Sequence, residues 1–176
     1  AVAVPQDYRI KSDITVSLKE GKVTTFTKES VGKALMPYFK TGNGENNQVV
    51  PLKVENGYAT ISLPDAEYGF SHLPYGYLNS KRKENLLIPR PVSEVYTYTI
   101  ECPENMELRT PRMYKAISNT AGKLSIIVKK EGRTATVTRS LELSKQLYTP
   151  AEYKDLRQLL TEWSDVNGKT LLFSVQ

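Results

Sequence analysis

The sequence predicts a mainly β protein with one amphipathic helix near its C-terminus, arranged as an antiparallel β-sandwich or as two packed β-units. Three observations support this fold class: a two-residue hydrophobic period along most of the chain, glycine-containing turns between the periodic stretches, and one stretch of helical spacing after residue 149. The length of 176 residues suffices for one domain with a substantial core or for two small β-units.

Two hairpins are predicted in the N-terminal third of the chain. Apolar residues alternate over residues 10–18, and a glycine-containing turn leads to a returning strand over residues 23–28. Apolar residues alternate again over residues 50–54 and 59–63, on either side of Asn56-Gly57. Because Asn-Gly is typical of a tight hairpin turn, it predicts that these two strands pair with each other.

Three further strands are predicted in the C-terminal half. One covers residues 92–102 and places Cys102 on the same face as its apolar residues. The other two cover residues 124–128 and 135–143, and they are separated by a turn at Glu131-Gly132. These two strands are therefore expected to form a third hairpin.

The C-terminal helix is predicted over about residues 150–165. Thr149 supplies an N-cap hydroxyl, Pro150 takes the first helical position and Glu152 completes a capping box. The apolar residues of this segment recur at helical spacing and form a stripe that a sheet or another domain must cover: Tyr153, Leu156, Leu160 and Trp163. A short strand over residues 171–173 is expected to add to a sheet edge.

These elements divide the chain into an N-terminal hairpin region (residues 1–63), a Tyr-rich connection (64–85) and a C-terminal β-unit with the helix (86–176). The sequence contains no internal repeat and no linker rich in Ser or Gly. One continuous domain is therefore the alternative to two packed units.

Charge and hydropathy exclude two classes of partner. The 24 Lys and Arg residues against 19 Asp and Glu give a net charge of +5 that is spread along the chain. The one basic run, Lys81-Arg82-Lys83, is interpreted as a solvated turn, so no nucleic acid is expected to bind. No stretch approaches 18 apolar residues, so no membrane span is expected. Because the chain begins with Ala1 and not Met, we expect a processed chain or a segment cut from a longer one.

The residue types also argue against catalysis within this chain. Thiol acyl transfer needs a nucleophilic Cys, a His base and an orienting Asp or Asn. The chain has one cysteine, Cys102, predicted to be a buried inert thiol, and one histidine, His72, interpreted as a packed residue of the Tyr-rich segment. Because a structural zinc site takes four Cys or His ligands, zinc is excluded as well. We therefore expect no enzyme, no catalytic residue, no metal and no cofactor.

An aromatic cluster in the Tyr-rich connection is the one candidate binding site. Exposed aromatic rings can stack on sugars or anchor a peptide partner, and the alternative interpretation is the half-buried lining of a seam between sheets. The candidate binding residues are Tyr68, Phe70, His72, Tyr75 and Tyr77.

The C-terminal half also carries a recognisable order of residues. It begins with Arg82 and the run Leu86-Leu87-Ile88-Pro89-Arg90-Pro91-Val92, followed by Glu94-Val95-Tyr96-Thr97-Tyr98, Pro103 and Pro111. It ends with Thr138-Arg139-Ser140-Leu141, Tyr148-Thr149-Pro150-Ala151-Glu152-Tyr153 and a Leu-rich helix. Over residues 82–176 this order resembles the C-terminal β-domain of bacterial transglutaminase-like proteins of uncharacterised function.

The resemblance implies a parent protein in which an N-terminal β-domain and a papain-like Cys-His-Asp domain precede this segment. None of those catalytic residues corresponds to a position in this chain. It further implies export to the periplasm or the outer surface of a Gram-negative bacterium, with the upstream catalytic domain of the same chain as partner.

Three hypotheses follow for the function of the chain. The first is a non-catalytic accessory domain that supports the catalytic domain or presents substrate to it. The second is an independent carbohydrate- or peptide-binding module that uses the aromatic cluster of residues 68–77 for a glycan or protein ligand. The third, a free-standing cysteine hydrolase, is the least favoured because Cys102 follows a strand pattern.

Overall fold

A computed structural model of the chain describes residues 4–38, 44–64, 82–165 and 169–176. The described residues form twelve strands in three sheets. The strands are β1 (Arg9–Ser17), β2 (Lys22–Val31), β3 (Gly44–Pro51), β4 (Tyr58–Ser62), β5 (Leu86–Leu87), β6 (Ser93–Glu101), β7 (Met106–Leu108), β8 (Met113–Asn119), β9 (Gly122–Glu131), β10 (Thr134–Leu143), β11 (Leu147–Tyr148) and β12 (Thr170–Val175). The described α-helix, α1, covers Tyr153–Ser164, and short 3-10 helices cover Gln6–Tyr8, Lys19–Gly21 and Lys33–Tyr38.

The largest sheet has seven strands in the order β3-β2-β1-β6-β10-β9-β8. The predicted first hairpin is confirmed as β1 with β2, and the predicted third hairpin is confirmed as β9 with β10. All neighbouring strands of this sheet run antiparallel except β1 and β6, which pair in parallel over Arg9–Ser17 and Ser93–Glu101. The mainly β fold class with a single C-terminal helix is therefore confirmed, and the sheets are open.

The predicted second hairpin is wrong in its pairing, although its turn is present. Asn56 and Gly57 have the positive φ values of 53° and 80° that a tight turn requires, and an isolated bridge joins Glu55 to Tyr58. Beyond that bridge the strands separate: β3 pairs with β2 in the large sheet, whereas β4 pairs with β12 in a three-stranded sheet. The turn therefore connects two sheets.

The terminal strand β12 lies in the middle of this smaller sheet, which has the order β4-β12-β7, and not at an edge as expected. Leu171 and Phe173 point into the core, while Leu172 between them is 37% exposed. Because β12 is the central strand of this sheet, Leu171 and Phe173 are both buried although the strand has only six residues. A two-stranded sheet, β11 with β5, completes the fold.

One hydrophobic core joins the large sheet, the small sheet and α1. Alternate residues of the central strand β6, namely Tyr96, Tyr98 and Ile100, are completely buried. The Tyr96 ring lies 6.0 Å from the ring of Trp163 on α1, measured between centroids. The large sheet thus forms one layer, and α1 with the small sheet covers its inner face.

The predicted capping box is present and directly precedes α1, although Pro150 lies in the turn before the helix, which starts at Tyr153. The backbone N–H and hydroxyl of Thr149 donate to the Glu152 carboxylate at 3.1 and 3.0 Å, and the Glu152 N–H donates back to the Thr149 hydroxyl at 3.3 Å. The predicted apolar stripe is buried, with Leu159 in addition. No helix in the described ranges is long and apolar enough to cross a membrane.

The predicted division into regions 1–63, 64–85 and 86–176 stays a prediction. Strands from both flanking regions meet in one sheet, because β1 pairs with β6. The greater part of the connection, residues 65–81, lies outside the described residues.

Candidate binding groove beside the C-terminal helix

The predicted aromatic site lies outside the described residues. This holds for all five of its members, Tyr68, Phe70, His72, Tyr75 and Tyr77. Its role in binding therefore stays a prediction.

Cys102 follows directly after β6 and packs against the core, but it is half-buried and not fully buried as expected. It lines a small cleft of about 260 Å³ together with Lys130 and Arg133. Burial raises the pKa of the Cys102 thiol above its ordinary value of 9.0, and these two cations offset only part of the rise. The thiol therefore stays protonated at neutral pH, which is unfavourable for a nucleophile.

Metal ligands are not gathered anywhere in the part of the chain that the structure describes. No group of three or more His, Cys, Asp or Glu side chains is placed there to hold an ion.

A wide groove of about 680 Å³ runs along the exposed side of α1. Four cationic side chains line it, and they come from the chain before β5 and from two successive turns of the helix: Arg82, Lys83, Lys154 and Arg157. Uncharged lining comes from Pro150, Tyr153, Gln158 and Thr161. We call this feature the helix groove.

Helical periodicity explains why the cations collect on one side of α1. Residues three or four positions apart share a helix face, so Lys154, Arg157 and Thr161 lie together, away from the buried stripe. The acidic residues Asp155 and Glu162 lie on the adjacent flank, which faces β8 and the turn after it, and Glu162 borders the groove. Asp155 there accepts a hydrogen bond from the Thr120 hydroxyl at 2.6 Å.

The acidic side chains near the groove are already engaged. Glu162, which also lines the groove, forms an ion pair with Lys115 on β8 at 2.7 Å. Glu152 pairs with Lys145 and closes the capping box. The cations of the groove are therefore not neutralised by these carboxylates, and the groove is electropositive.

Arg82 is held in this groove by an aromatic contact. Its guanidinium carbon lies 5.6 Å from the centroid of the Tyr153 ring, a cation–π arrangement. Burial raises the pKa of Tyr153, so its hydroxyl stays neutral, although Arg82 and Arg157 offset part of that rise. Among the described residues, the buried Arg82 Nε has no hydrogen-bond partner. The Nε–H of Arg82 is thus a hydrogen-bond donor that the described residues leave unused.

Sequence reasoning missed this groove. The run Lys81-Arg82-Lys83 was interpreted as a solvated turn, whereas Arg82 is half-buried against α1. The spacing of Lys154 and Arg157 is a detectable signal for a basic helix flank. That this flank faces Arg82 and Lys83 depends on a packing that no local pattern encodes.

Some residues of the segment that carries the family resemblance form a buried polar cluster within the core. Glu94 on β6 and Arg139 on β10 are 1% and 0% exposed, and Tyr96 donates a hydrogen bond to the Glu94 carboxylate. Arg139 donates to the Trp163 carbonyl at 3.0 Å, and its guanidinium carbon lies 4.2 Å from the centroid of the Trp163 ring. These residues join α1 to the large sheet and are not available to a ligand.

Comparison with known proteins places the chain in a family. The structure is similar to the crystal structure of a "putative protease" from Parabacteroides distasonis ATCC 8503, with a TM-score of 0.65 and 27% sequence identity. The similarity covers 98% of this chain but only 28% of that chain. None of the curated proteins matches. The family model of a domain of unknown function with solved structures, DUF3858, matches residues 58–173, which is more than half of the sequence. The chain therefore belongs to the DUF3858 family.

Proposed function

We propose that this chain is a non-catalytic accessory domain of a longer, exported transglutaminase-like protein, and that catalysis belongs to a part outside these 176 residues. The observation that carries the proposal is the coverage of the related structure. Nearly all of this chain, 98%, corresponds to 28% of a protein described as a putative protease. The transglutaminase-like parent and its export rest on the resemblance of residues 82–176.

The chemistry of Cys102 supports a role without catalysis. Its raised pKa and its packing against the core disfavour the thiolate that a cysteine nucleophile needs. The buried charges Glu94 and Arg139 lie inside the core, where they join elements of the fold. Cys102, Glu94 and Arg139 are therefore all packed within or against the core of the fold.

The outer face of the large sheet suits packing against the remainder of such a parent. On β6 and β10 its central side chains are short and uncharged: Thr97 lies opposite Thr138, and Ser140 shares a hydrogen bond of 2.6 Å with Ser125 of β9. The neighbouring strand β1 places the exposed charges Lys11 and Asp13 beside this patch. Large exposed rings flank this patch, because Tyr114 and Phe26 are 76% and 40% exposed. An uncharged central patch with aromatic residues and charges around it matches the anatomy of an interface between proteins. We assign the remainder of the parent protein as its occupant, since most of the related chain lies outside the matched part.

The test mixes this chain with the separately produced remainder of its natural parent protein. We expect the two to associate, as measured by isothermal titration calorimetry, and we expect acyl transfer or peptide hydrolysis to require only catalytic residues of the remainder. Thr138→Arg should weaken the association at least about tenfold, because it places a charge in the uncharged patch on β6 and β10.

Thr60→Arg is the matched control, since Thr60 is exposed on the small sheet, away from that face. It should bind like the unmodified chain. Equal weakening by both variants, or no association at all, would reject the docking face. Turnover by this chain alone, or turnover of the full-length parent that is lost in Cys102→Ser, would reject the non-catalytic role.

A further inference from the structure

The helix groove is a binding site that the accessory role leaves unexplained. It combines four cations, an aromatic ring and two neutral polar side chains over two turns of α1. The acidic residues beside it already have partners, Lys115 for Glu162 and Thr120 for Asp155. A ligand that supplies negative charge would therefore complement the net positive charge of the groove.

We propose that the helix groove binds an acidic stretch of polypeptide, with carboxylate side chains placed against Arg82, Lys83, Lys154 and Arg157. This inference stands on the groove itself and does not depend on the proposed accessory role. The ligand class follows from the distribution of charge and from the other groups that line the groove.

The distribution of the cations favours an extended ligand over a small anion. Lys154 and Arg157 lie on successive turns of α1, and Thr161 and Gln158 continue the groove along the helix. Because each residue of an α-helix advances about 1.5 Å, Lys154 and Arg157 lie roughly 4.5 Å apart along the axis, and the neutral lining extends to roughly 10 Å from Lys154. Arg82 and Lys83 add two cations from outside the helix. Charges spread along a groove match carboxylates on successive residues of a peptide better than one phosphate ion.

The number of cations favours a peptide over a nucleic acid. The electrostatic affinity of a protein for nucleic acid grows with the number of phosphates that its cations neutralise, because each one releases condensed counterions. The helix groove offers four cations, and the excess positive charge of the chain is spread over its length. The carbon surfaces of Pro150 and Tyr153 in the lining also suit the aliphatic part of a glutamate side chain.

The experiment titrates the full 176-residue chain into fluorescein-labelled hexaglutamate and follows fluorescence anisotropy at low ionic strength. We expect saturable binding that hexaglutamine of the same length does not show. Lys154→Ala/Arg157→Ala should weaken binding about tenfold, because it removes two exposed charge contacts. Ala is the best helix former, so α1 should stay folded in this variant, as circular dichroism can verify.

Lys19→Ala/Lys22→Ala is the matched control, because it removes the same charge from exposed positions at the turn between β1 and β2. Equal weakening by the two double variants would show unspecific attraction and overturn the proposal. Tighter binding of single-stranded DNA with the same number of charges would also overturn it, as would complete displacement by inorganic phosphate at millimolar concentration. Failure here leaves the accessory role standing, since that role is tested on the outer sheet face.

Discussion

At the scale of single residues, the buried charges of the core are the least expected feature of this protein. Arg139 and Glu94 point from adjacent strands toward the inner layer, because Arg139 lies opposite Tyr96 and Leu141 lies opposite Glu94. The two side chains are diagonal neighbours on one face, within reach of each other for residues of this length. The hydrogen bond and the cation–π contact of Arg139 with Trp163 tie α1 to the sheet, next to the buried carboxylate of Glu94.

Replacement of Arg139 tests this role. Arg139→Met should lower the free energy of unfolding by about 3–5 kcal/mol, because it leaves the acidic Glu94 buried without the neighbouring positive charge. Urea unfolding followed by tryptophan fluorescence measures the loss. The double variant Arg139→Met/Glu94→Leu should recover much of it, since both charges are then absent.

Arg133→Met is the control for the loss of a cation, because Arg133 is exposed on the same hairpin. Its free energy of unfolding should change by less than about 0.5 kcal/mol. If Arg139→Met proved as stable as Arg133→Met, the buried cluster would not hold the helix in the way we describe.

At the scale of elements, α1 is attached to the large sheet on its acidic flank as well. Asp155 in its first turn accepts hydrogen bonds from the hydroxyl and the N–H of Thr120, at 2.6 and 3.3 Å. The hydroxyl hydrogen bond is the main reason why the pKa of Asp155 lies below its ordinary value of 3.8. The contact therefore ties the helix N-terminus to the turn between β8 and β9 in a charge-dependent way.

The lowered pKa of Asp155 determines how the stability that this contact contributes depends on pH. Because the folded protein favours the ionised carboxylate, the contact contributes stability above pH 3.8, and the contribution is lost as the pH falls through the depressed pKa. In a carbon-13 NMR titration, Thr120→Val should move the pKa of Asp155 back toward 3.8.

Thr161→Val is the matched control for that titration, since Thr161 lies on the same helix in the groove lining. It should leave the pKa of Asp155 where it is in the unmodified chain. A wild-type Asp155 that titrates at or above 3.8 would contradict the proposed hydrogen bond.

At the scale of the whole molecule, the parallel pairing of β1 with β6 decides how the chain unfolds. This pairing places strands from residues 1–63 and 86–176 side by side in one sheet, and a single core joins both sheets. We therefore expect one cooperative unfolding transition, in which far-UV circular dichroism and Trp163 fluorescence change at the same urea concentration. Two separate transitions would instead support two independently stable β-units.

Strand β12 provides the variants for this measurement. Phe173→Ala should lower the free energy of unfolding by about 3–5 kcal/mol and should shift both signals together, because Phe173 is completely buried in the shared core. Leu172→Ala, at the exposed neighbouring position of the same strand, should shift them far less.

The features that the sequence predicted correctly by itself depend on interactions between residues that are close together in the chain. The first and third hairpins follow from alternation and a short turn, and the capping box at Thr149 and Glu152 follows from hydrogen bonds three residues apart. The mainly β class and the single helix rest on the same short-range signals. Each of these interactions is complete within a few residues, so no knowledge of distant partners is required.

Only the tertiary structure decided which strands share a sheet and which charges meet. The turn at Asn56-Gly57 is encoded locally, yet its two strands enter different sheets, β3 beside β2 and β4 beside β12. In β4 this placement buries Ala59 and Ile61, whereas Val49 and Val50 on β3 stay exposed. Arg139 packs against Trp163 in the core, and Arg82 lies over the Tyr153 ring, through contacts between residues far apart in sequence. Such contacts depend on the summed burial of the whole core, and this is the physical reason why a pattern of neighbouring residues cannot specify them.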